Sequence, residues 1–300
     1  MQIMNKSTCL TSTTVRFAVR GSALSAAKID QSMPVVMKLL LLVSVLLMVV
    51  TASPGSGIRV HRIDKLGEHS ETSPRFDHTE ARAEATRVFP ELAAQQGWNF
   101  TQSSNSDIFT DEGLAEIDVI IFDNNTGILF DAAEQQAFET WVNRGGGVVG
   151  IHGVTHAHKG VDEANQAEWP FWYGLWGVLH QSGPQDGPNG RRGYPDWIVM
   201  QPPAEEWSDE MPRRWRFEKV EWYFWNYHES FGDKHVIAMG EVQANQPGLP
   251  VPYPVTWCSR YEGGRVWYTN MGHYAENYRQ REFIQHLVDG VNWAARGRGE

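Results

Sequence analysis

The stretch GVVGIHG at residues 147–153 combines two features that together indicate the fold. Residues 147–151 are apolar without a polar alternation, which is typical of a strand that is covered on both faces of a sheet. Gly150 then permits a tight turn that directs the His152 side chain outward from the strand end, as in a nucleophile elbow. Because imidazole stands at this elbow instead of Ser or Cys, the stretch favours proton transfer or metal binding over covalent acyl chemistry.

Strands and helices alternate on both sides of this stretch. Asp131 and Glu134 form a capping pair at the start of the clearest predicted helix, residues 131–144. The other predicted elements are strands at 58–63, 98–102, 118–122, 197–201, 235–241, 254–259 and 265–270, and helices at 78–96 and 283–295. This alternation indicates an α/β fold with a mostly parallel central sheet. No linker rich in Pro and Ser divides the sequence, so we expect one domain at residues 56–297, with a Gly- and Pro-rich loop at 183–193.

Residues 1–52 are expected to lie outside this domain. A twelve-residue run at 39–50 contains a single polar residue, and it is shorter than the roughly 20 apolar residues that a membrane span needs. A lysine precedes the run and small residues follow it, which is the layout of a secretory signal peptide that starts at Met37. The sequence therefore predicts a secreted or periplasmic protein that is cleaved near Ala52 and then has no stable membrane span. The alternative is an uncleaved N-terminal anchor.

Charge and composition exclude several classes of protein. The 300 residues include 36 acidic and 26 basic side chains, of which residues 53–300 hold 35 and 21. An acidic surface repels phosphate backbones, which argues against nucleic acid as a partner. Cys9 and Cys258 are too few for a disulfide framework or a cysteine-cluster metal site. Only Cys258 remains after cleavage, and we expect its thiol to be buried.

Three histidines follow predicted strands, at the positions where ligands bind in open parallel sheets. His152 follows the strand at 147–151, His273 follows the strand at 265–270, and His78 lies in the loop or first helical turn after the first strand. We expect these side chains to converge at the sheet edge. The alternative for each is a loop histidine that is hydrogen-bonded to a backbone carbonyl.

Histidine spacing also raises the question of a metal. His152, His156 and His158 form an H-x3-H-x-H pattern, and imidazole is a common ligand of divalent metals. No carboxylate stands at a matching spacing, so the pattern alone is a weak metal motif. We therefore keep a divalent metal ion as a possible cofactor, with His78, His152, His156 and His158 as candidate ligands.

Glu221 is flanked by aromatic residues in the stretch Val220–Tyr223. Apolar surroundings raise the pKa of a carboxyl group, which would allow Glu221 to act as a general acid or base. The alternative is a structural carboxylate that is paired with Arg216 or Arg265.

All thirteen tryptophans lie beyond residue 52, and they cluster near Trp169 and Trp222. Most are expected to fill the core. Aromatic faces beside carboxylates also suit sugars, which stack their C–H faces on the rings. We therefore take Trp169, Tyr173, Trp222 and Tyr223, together with His78, as candidate substrate-binding residues for a small carbohydrate.

Several of these stretches together resemble one known family. The segments at 122–152, 169–173, 221–223 and 254–265 follow one another in the order found in the trehalose-utilisation (ThuA-like) family, and Gly272-His273 completes the series. The segment Arg75-Phe-Asp-His78-Thr79 is similar to the early Phe-x-His segment of that family. The resemblance covers roughly residues 58–296.

The resemblance implies a class I glutamine amidotransferase-like fold, which is a flavodoxin-like α/β sandwich. It also implies a role in sugar metabolism, especially of trehalose and related disaccharides, with chemistry on 3-keto sugars. His152 occupies the position of the amidotransferase cysteine at the elbow, so we expect no glutaminase activity.

The function that we expect is glycosidic-bond cleavage or proton transfer on a 3-keto sugar or a trehalose-like disaccharide, by a lyase or hydrolase. His152 would be the base or a metal ligand, Glu221 and His273 the acid partner and the orienting group, and His78 a ligand of substrate or metal. The alternatives are a non-catalytic carbohydrate-binding protein and a metal-dependent hydrolase of another polar substrate. A homo-oligomer is compatible with the sequence.

Overall fold

A computed structural model describes residues 57–68, 78–158, 168–180, 192–202, 211–223, 225–241 and 253–296. They belong to one compact unit, residues 57–300. The predicted signal peptide and residues 183–191 of the predicted loop lie outside the described residues. In the part of the chain that is described, no helix has the length and apolar character needed to cross a membrane.

Eleven strands form a nine-stranded sheet and a separate two-stranded ribbon. The strands are β1 (Arg59–Ile63), β2 (Asn99–Ser103), β3 (Val119–Asp123), β4 (Gly147–Ile151), β5 (Val178–His180), β6 (Arg192–Met200), β7 (Arg214–Glu221), β8 (Trp225–Tyr227), β9 (His235–Glu241), β10 (Tyr253–Tyr261) and β11 (Gly264–Thr269). The large sheet has the order β2-β1-β3-β4-β11-β10-β9-β6-β7, and β5 pairs with β8 in the ribbon.

Strand direction divides the large sheet into two parts. The five strands β2, β1, β3, β4 and β11 are mutually parallel. The pairings from β11 to β10 and onward to β9, β6 and β7 are antiparallel. Seven of the nine strands therefore point the same way, which confirms the mostly parallel sheet. The carboxyl ends of β1, β3, β4, β11 and also β7 consequently face one end of the sheet, and we call this end the carboxyl edge.

Among the described residues, five α-helices accompany the sheet. They are α1 (Thr79–Gln96), α2 (Asp111–Ala115), α3 (Ala132–Asn143), α4 (Pro170–Trp176) and α5 (Arg281–Ala295). Helix α3 begins with the predicted capping box, because Asp131 Oδ1 accepts hydrogen bonds from the Ala133 and Glu134 amides at 2.8 and 2.9 Å. The Asp131 amide donates in return to Glu134 Oε2 at 3.0 Å. These bonds satisfy amides that the first helical turn leaves unpaired.

Helices pack on both faces of the sheet, as in an α/β sandwich. A side chain added at Gly147 would collide with Ala294 of α5, and one added at Gly150 would collide with Trp176 of α4. Successive residues of a strand point to opposite faces, so these two positions, three apart, face opposite ways. The two glycines therefore let a helix approach each face of β4 closely. The buried, wholly apolar character of the remaining β4 residues follows from this double cover.

The structure differs from the sequence prediction mainly in its second half. Strand β6 begins five residues before the predicted start, and the elements α2, α4, β5, β7 and β8 were not predicted. In β7, Trp215 and Phe217 are buried between exposed residues. This period-two alternation is the signature of a half-buried strand. We interpreted the same residues only as an aromatic cluster, although the alternation of Arg214-Trp215-Arg216-Phe217-Glu218 was readable.

Candidate functional site

Four side chains from distant parts of the chain converge at the carboxyl edge. His78 precedes α1, His152 follows β4, Glu221 ends β7, and His273 lies four residues beyond β11. Each offers one nitrogen or oxygen atom, and these four atoms lie within 4.8 Å of one another. We call this group the histidine cluster. The structure therefore brings together the three histidines that the sequence placed at the sheet edge and Glu221, which we expected to act with them, while their catalytic roles remain predictions.

The backbone at the cluster is held in an unusual conformation. His78, Asn124 and His152 all have left-handed φ angles, of 46°, 56° and 45°. Such angles are uncommon in residues other than glycine and concentrate at functional sites. Gly153 follows His152, and a Cβ there would approach His78 and Asn124 to 3.1 and 3.2 Å. The absence of a side chain at Gly153 therefore allows the His78 ring and the elbow to pack against each other.

Strand β7 lies far from β4 in the sheet, and a short helical segment, residues 275–279, holds its end in place. The Asn277 side-chain amide donates to the Lys219 carbonyl at 2.9 Å, and the Glu218 amide donates to Gln280 Oε1 at 3.0 Å. These bonds tie the end of β7 to the chain that follows His273. Glu221 is thereby positioned beside the imidazole rings.

Hydrogen bonding determines which nitrogen of His152 carries a proton. His152 Nδ1 lies 2.8 Å from the Asn270 carbonyl oxygen. A carbonyl oxygen only accepts hydrogen bonds, so Nδ1 must be the protonated nitrogen. In the neutral ring, Nε2 then carries a lone pair, and it lies 3.1 Å from both Glu221 Oε2 and His273 Nδ1. Nε2 of this buried imidazole therefore faces the centre of the cluster, where a neutral ring presents a lone pair and a charged ring presents a second N–H.

Glu221 is buried among imidazoles, and its Oε2 atom lies 2.5 Å from His273 Nδ1. Burial by itself raises the pKa of this carboxyl group, but hydrogen bonds and positive charge from His152 and His273 outweigh that effect. The pKa of Glu221 is therefore held far below its usual range. The raised pKa that we expected from the aromatic neighbours is wrong, because the carboxylate faces nitrogen donors at this oxygen and not an apolar wall.

His78 completes the cluster from the opposite side. Its Nε2 atom lies 3.1 Å from the Tyr223 hydroxyl. Its Nδ1 atom is buried and has no hydrogen-bond partner among the described residues. Burial, and then the neighbouring His152 and His273, lower the pKa of His78 well below its usual value. The ring is accordingly neutral at physiological pH and offers a lone pair.

The three imidazoles form a nearly regular triangle. Ring centroids of His78, His152 and His273 are 4.9 to 5.1 Å apart, and the ring planes cross at 73° to 86°. The His152 side chain is fully buried, whereas 16% of the His273 side chain is exposed. Solvent and ligands therefore have their most direct access to the cluster at His273.

Tyr223 is the one predicted aromatic residue that contacts the cluster. Besides its bond to His78, its ring centroid lies 4.1 Å from that of His152. Trp169 is buried and donates to Glu139 Oε1 at 2.7 Å, while Trp222 is buried and donates to Asp196 Oδ2 at 2.8 Å. Tyr173 is half-buried and donates to the Asn226 carbonyl. Stacking on a sugar needs an exposed ring face, which the two tryptophans do not offer in this structure.

The H-x3-H-x-H pattern does not form a metal site of its own. His158 Nε2 accepts a hydrogen bond from the Leu129 amide at 3.4 Å, and its ring packs against both Trp169 and Trp172. Among the residues that the structure describes, the group that could hold a metal consists of the histidine cluster and includes neither His156 nor His158. The carboxylate that the linear motif lacked is supplied by Glu221, from a strand far along the chain.

A second buried polar group lies beside the cluster, and the sequence analysis missed it. Asn124 Nδ2 donates to the Gly272 carbonyl at 3.0 Å, and Asn124 Oδ1 accepts from the Gly153 amide at 3.4 Å. Asn124 therefore connects the loop that carries His152 to the loop that carries His273. It directly follows β3, so the rule that located His152 after its strand would also have located Asn124.

Comparison with known proteins identifies the family. A sequence model described as trehalose utilisation (ThuA) matches residues 70–294. The chain belongs to this family. A ThuA-like protein from Bacteroides uniformis is 21% identical, with 81% of this chain and 94% of that chain covered and a TM-score of 0.61. One from Parabacteroides merdae is 15% identical, with 81% and 91% covered and a TM-score of 0.62.

These similarities confirm the predicted fold class of the ThuA family, and at such identities they establish the fold alone. No curated protein is significantly similar to the chain in sequence. What the site does must therefore be argued from its own geometry. Lone-pair nitrogens next to a carboxylate can accept a proton or bind a cation.

Proposed function

We propose that this ThuA-family protein acts on a carbohydrate and cleaves the glycosidic bond of a 3-keto sugar or a trehalose-like disaccharide. Membership of the trehalose-utilisation family supports the substrate class. The observation that carries the proposal is the convergence of His78, His152, Glu221 and His273 in one partly accessible cluster. Such a group is equipped to move protons at a carbon next to a ketone.

The proposed reaction is an elimination that needs no oxidant. A ketone at C3 acidifies the C2–H bond of the sugar. A base takes the C2 proton, the electron pair of that bond forms a C1–C2 double bond, and the C1–O bond breaks. The departing oxygen takes a proton and leaves as the alcohol of the second sugar. Addition of water to the unsaturated product would make the overall change a hydrolysis.

The cluster offers a role for each residue in this scheme. His273 is the most exposed imidazole, so we place the sugar on its side of the cluster. His152 presents the Nε2 lone pair that either accepts the proton or binds a cation that stabilises the enolate. Glu221 orients both rings through Oε2. His78 and Tyr223 close the opposite side.

Turnover of 3-keto trehalose and 3-keto glucosides carrying deuterium at C2 tests the proposal. We expect release of the second sugar, loss of the deuterium, and slower turnover than with protium. His152→Ala should lower turnover by about 100-fold or more, the usual contribution of a positioned acid or base. His228→Ala removes a histidine that caps a separate turn and should leave turnover unchanged.

Three outcomes would contradict the elimination. Bond cleavage with the deuterium retained would indicate direct hydrolysis of the sugar. No cleavage of keto sugars, with metal-dependent hydrolysis of another polar substrate, would indicate the metal-dependent hydrolase, which the convergence of three imidazoles and a carboxylate makes the second candidate. Tight binding without product, with His152→Gln tolerated, would indicate a carbohydrate-binding protein.

We also propose that the protein is secreted or periplasmic, because residues 1–52 have the composition of a signal peptide with its upstream segment. N-terminal sequencing of the protein purified from its own cells should place the first residue near Ser53. A first residue at Met1 or Met37 would contradict this proposal.

A further inference from the structure

We propose that His78, His152, Glu221 and His273 together hold one divalent first-row transition metal ion. This inference deepens the proposed function by naming a cofactor for the same site. Its binding claim stands on the geometry of the four side chains, while its catalytic claim rests on the proposed function.

The donor set is of the kind that zinc, cobalt, iron and manganese sites use. Three imidazole nitrogens and one carboxylate oxygen suit these borderline cations, and magnesium or calcium would call for more oxygen ligands. Bonds of about 2.1 Å from one ion place two ligand atoms about 3.0 Å apart at 90° and about 3.4 Å apart at the tetrahedral angle. His152 Nε2 lies 3.1 Å from both Glu221 Oε2 and His273 Nδ1. These two separations match neighbouring ligands of a single ion, whereas the 2.5 Å between Glu221 Oε2 and His273 Nδ1 is a hydrogen-bond distance that must widen when an ion binds both atoms.

Proton accounting supports a cation at the centre of the cluster. Because the Asn270 carbonyl fixes a proton on His152 Nδ1, it is Nε2 of this ring that faces a carboxylate oxygen and a second imidazole nitrogen. Lone pairs that face one another at this distance repel unless a proton or a metal ion lies between them. A single ion can be bound by all the converging atoms at once. Without an ion, the same atoms have to share protons among three buried rings.

The surroundings of the cluster have the features of a prepared metal site. Metal-binding histidines usually donate their other ring N–H to a carbonyl or carboxylate, which fixes the ring and its tautomer. The His152–Asn270 bond supplies this contact. His78 Nδ1 is buried without a hydrogen-bond partner among the described residues, and a buried polar atom of this kind calls for a ligand.

The ion would supply charge where the proposed elimination develops it. Positive charge beside the C3 oxygen stabilises the enolate that forms when the C2 proton leaves. The ion would also lower the pKa of a neighbouring water molecule toward neutrality, which would supply a base for that proton. In this form the three histidines and Glu221 act as ligands, and the exposed edge at His273 is the side on which sugar and water arrive.

Metal binding by the full-length chain tests the inference without any substrate. The protein is purified without chelators, its metal content is measured, and it is then stripped and titrated with Zn²⁺ or Co²⁺ in equilibrium dialysis. We expect about one ion per chain, visible absorption bands from bound Co²⁺, and a rise in melting temperature with Zn²⁺. His273→Ala changes the most exposed ligand and should lower the affinity by about 100-fold or more.

Matched variants separate a lost ligand from a lost fold. Glu221→Gln should weaken Co²⁺ binding and change its absorption spectrum, whereas Glu276→Gln, at an exposed carboxylate paired with Lys219, should do neither. His228→Ala is the matching histidine control. Circular dichroism confirms that each variant is folded. The inference is overturned if the wild-type chain binds no Zn²⁺ or Co²⁺, or if folded His273→Ala and Glu221→Gln bind them as tightly as the wild type.

The measurement of metal binding does not depend on whether the protein acts on a sugar. Metal binding that depends on the cluster, combined with no turnover of keto sugars, would support the inference and reject the proposed function. Turnover of keto sugars without metal binding would support the proposed function and reject the inference.

Discussion

Two buried polar groups meet at the carboxyl edge, and they differ in how completely their charges are matched. In the first, Arg62 donates to Asp123 Oδ2 at 2.8 Å and approaches Asp64 to 3.3 Å, while the Tyr278 hydroxyl donates to Asp123 Oδ1 at 2.6 Å. In the histidine cluster, by contrast, three imidazoles share one carboxylate, and the ring nitrogens His152 Nε2 and His273 Nδ1 face each other at 3.1 Å. The first group pairs donors with acceptors, as a structural network should. The histidine cluster, by contrast, still has polar atoms that can bind a ligand.

We expect the removal of a charge to lower the free energy of unfolding by different amounts in the first group and in the histidine cluster. Asp123→Asn keeps the shape of the side chain but leaves the buried Arg62 guanidinium with the more distant Asp64 as its remaining carboxylate partner among the described residues. Breaking a buried ion pair costs roughly 3–5 kcal/mol, and we expect about 3 kcal/mol because Asp64 remains. Urea unfolding of the two proteins measures this difference.

Glu221→Gln is the corresponding change in the cluster, and it should destabilise the protein less. Its histidine neighbours can lose a proton and become neutral, which Arg62 cannot do. The comparison between the two groups fails if Glu221→Gln costs more stability than Asp123→Asn.

The pH dependence of stability sharpens the contrast, because buried histidines titrate where Arg62 does not. Burial lowers the pKa of His286 from 6.5 to about 3. Between these two pKa values His286 is protonated in the unfolded chain but not in the folded chain. The free energy of unfolding is therefore highest above pH 6.5 and decreases as the pH falls toward 3. Between about pH 7 and pH 5 this single residue accounts for about 2 kcal/mol.

His286→Gln should remove this contribution to the pH dependence. The number of protons taken up on unfolding near pH 5 should then be smaller by nearly one. His286 Nε2 lies 3.2 Å from Thr256 Oγ1, and glutamine can also form a hydrogen bond there. Urea titrations at both pH values measure the slope. An unchanged slope would mean that His286 is charged in the folded protein.

The smallest effect is expected at Tyr278, where the two groups join. Its hydroxyl donates to Asp123 and accepts from Asn124 Nδ2 at 3.2 Å. Tyr278→Phe removes a hydrogen bond to a charged group, which we expect to cost about 1.5 kcal/mol in the free energy of unfolding. Turnover should change little, because Asn124 still holds the Gly272 carbonyl. A large loss of turnover with little loss of stability would place Tyr278 in the reaction instead.

Local sequence signals were sufficient for the parallel half of the sheet. The apolar run at β4 and the capping pair at Asp131 and Glu134 depend on neighbouring residues, and both were predicted with nearly correct bounds. Burial of Cys258 was also predicted and is confirmed. The antiparallel half was predicted less well, because the pairings of β6 with β7 and β9 depend on contacts between segments far apart in sequence.

The residues of the candidate site were likewise predicted where local signals were sufficient and missed where distant contacts decide. The rule for strand ends located His78, His152 and His273 because it needs only the order of the strands. It could not reveal that Glu221 faces these imidazoles, nor that His158 packs among tryptophans, because both outcomes depend on how distant segments fold together. The lowered pKa of Glu221 was missed for the same reason.

The order of the four cluster residues along the chain has a consequence for biosynthesis. His78 leaves the ribosome long before His273, and β11 must insert beside β4 before the two can meet. A nascent chain therefore cannot assemble the site until His273 has emerged, and any ion or sugar can be acquired only after that point. If the chain is exported unfolded, that acquisition takes place outside the cytoplasm, from whatever metals the outer compartment contains.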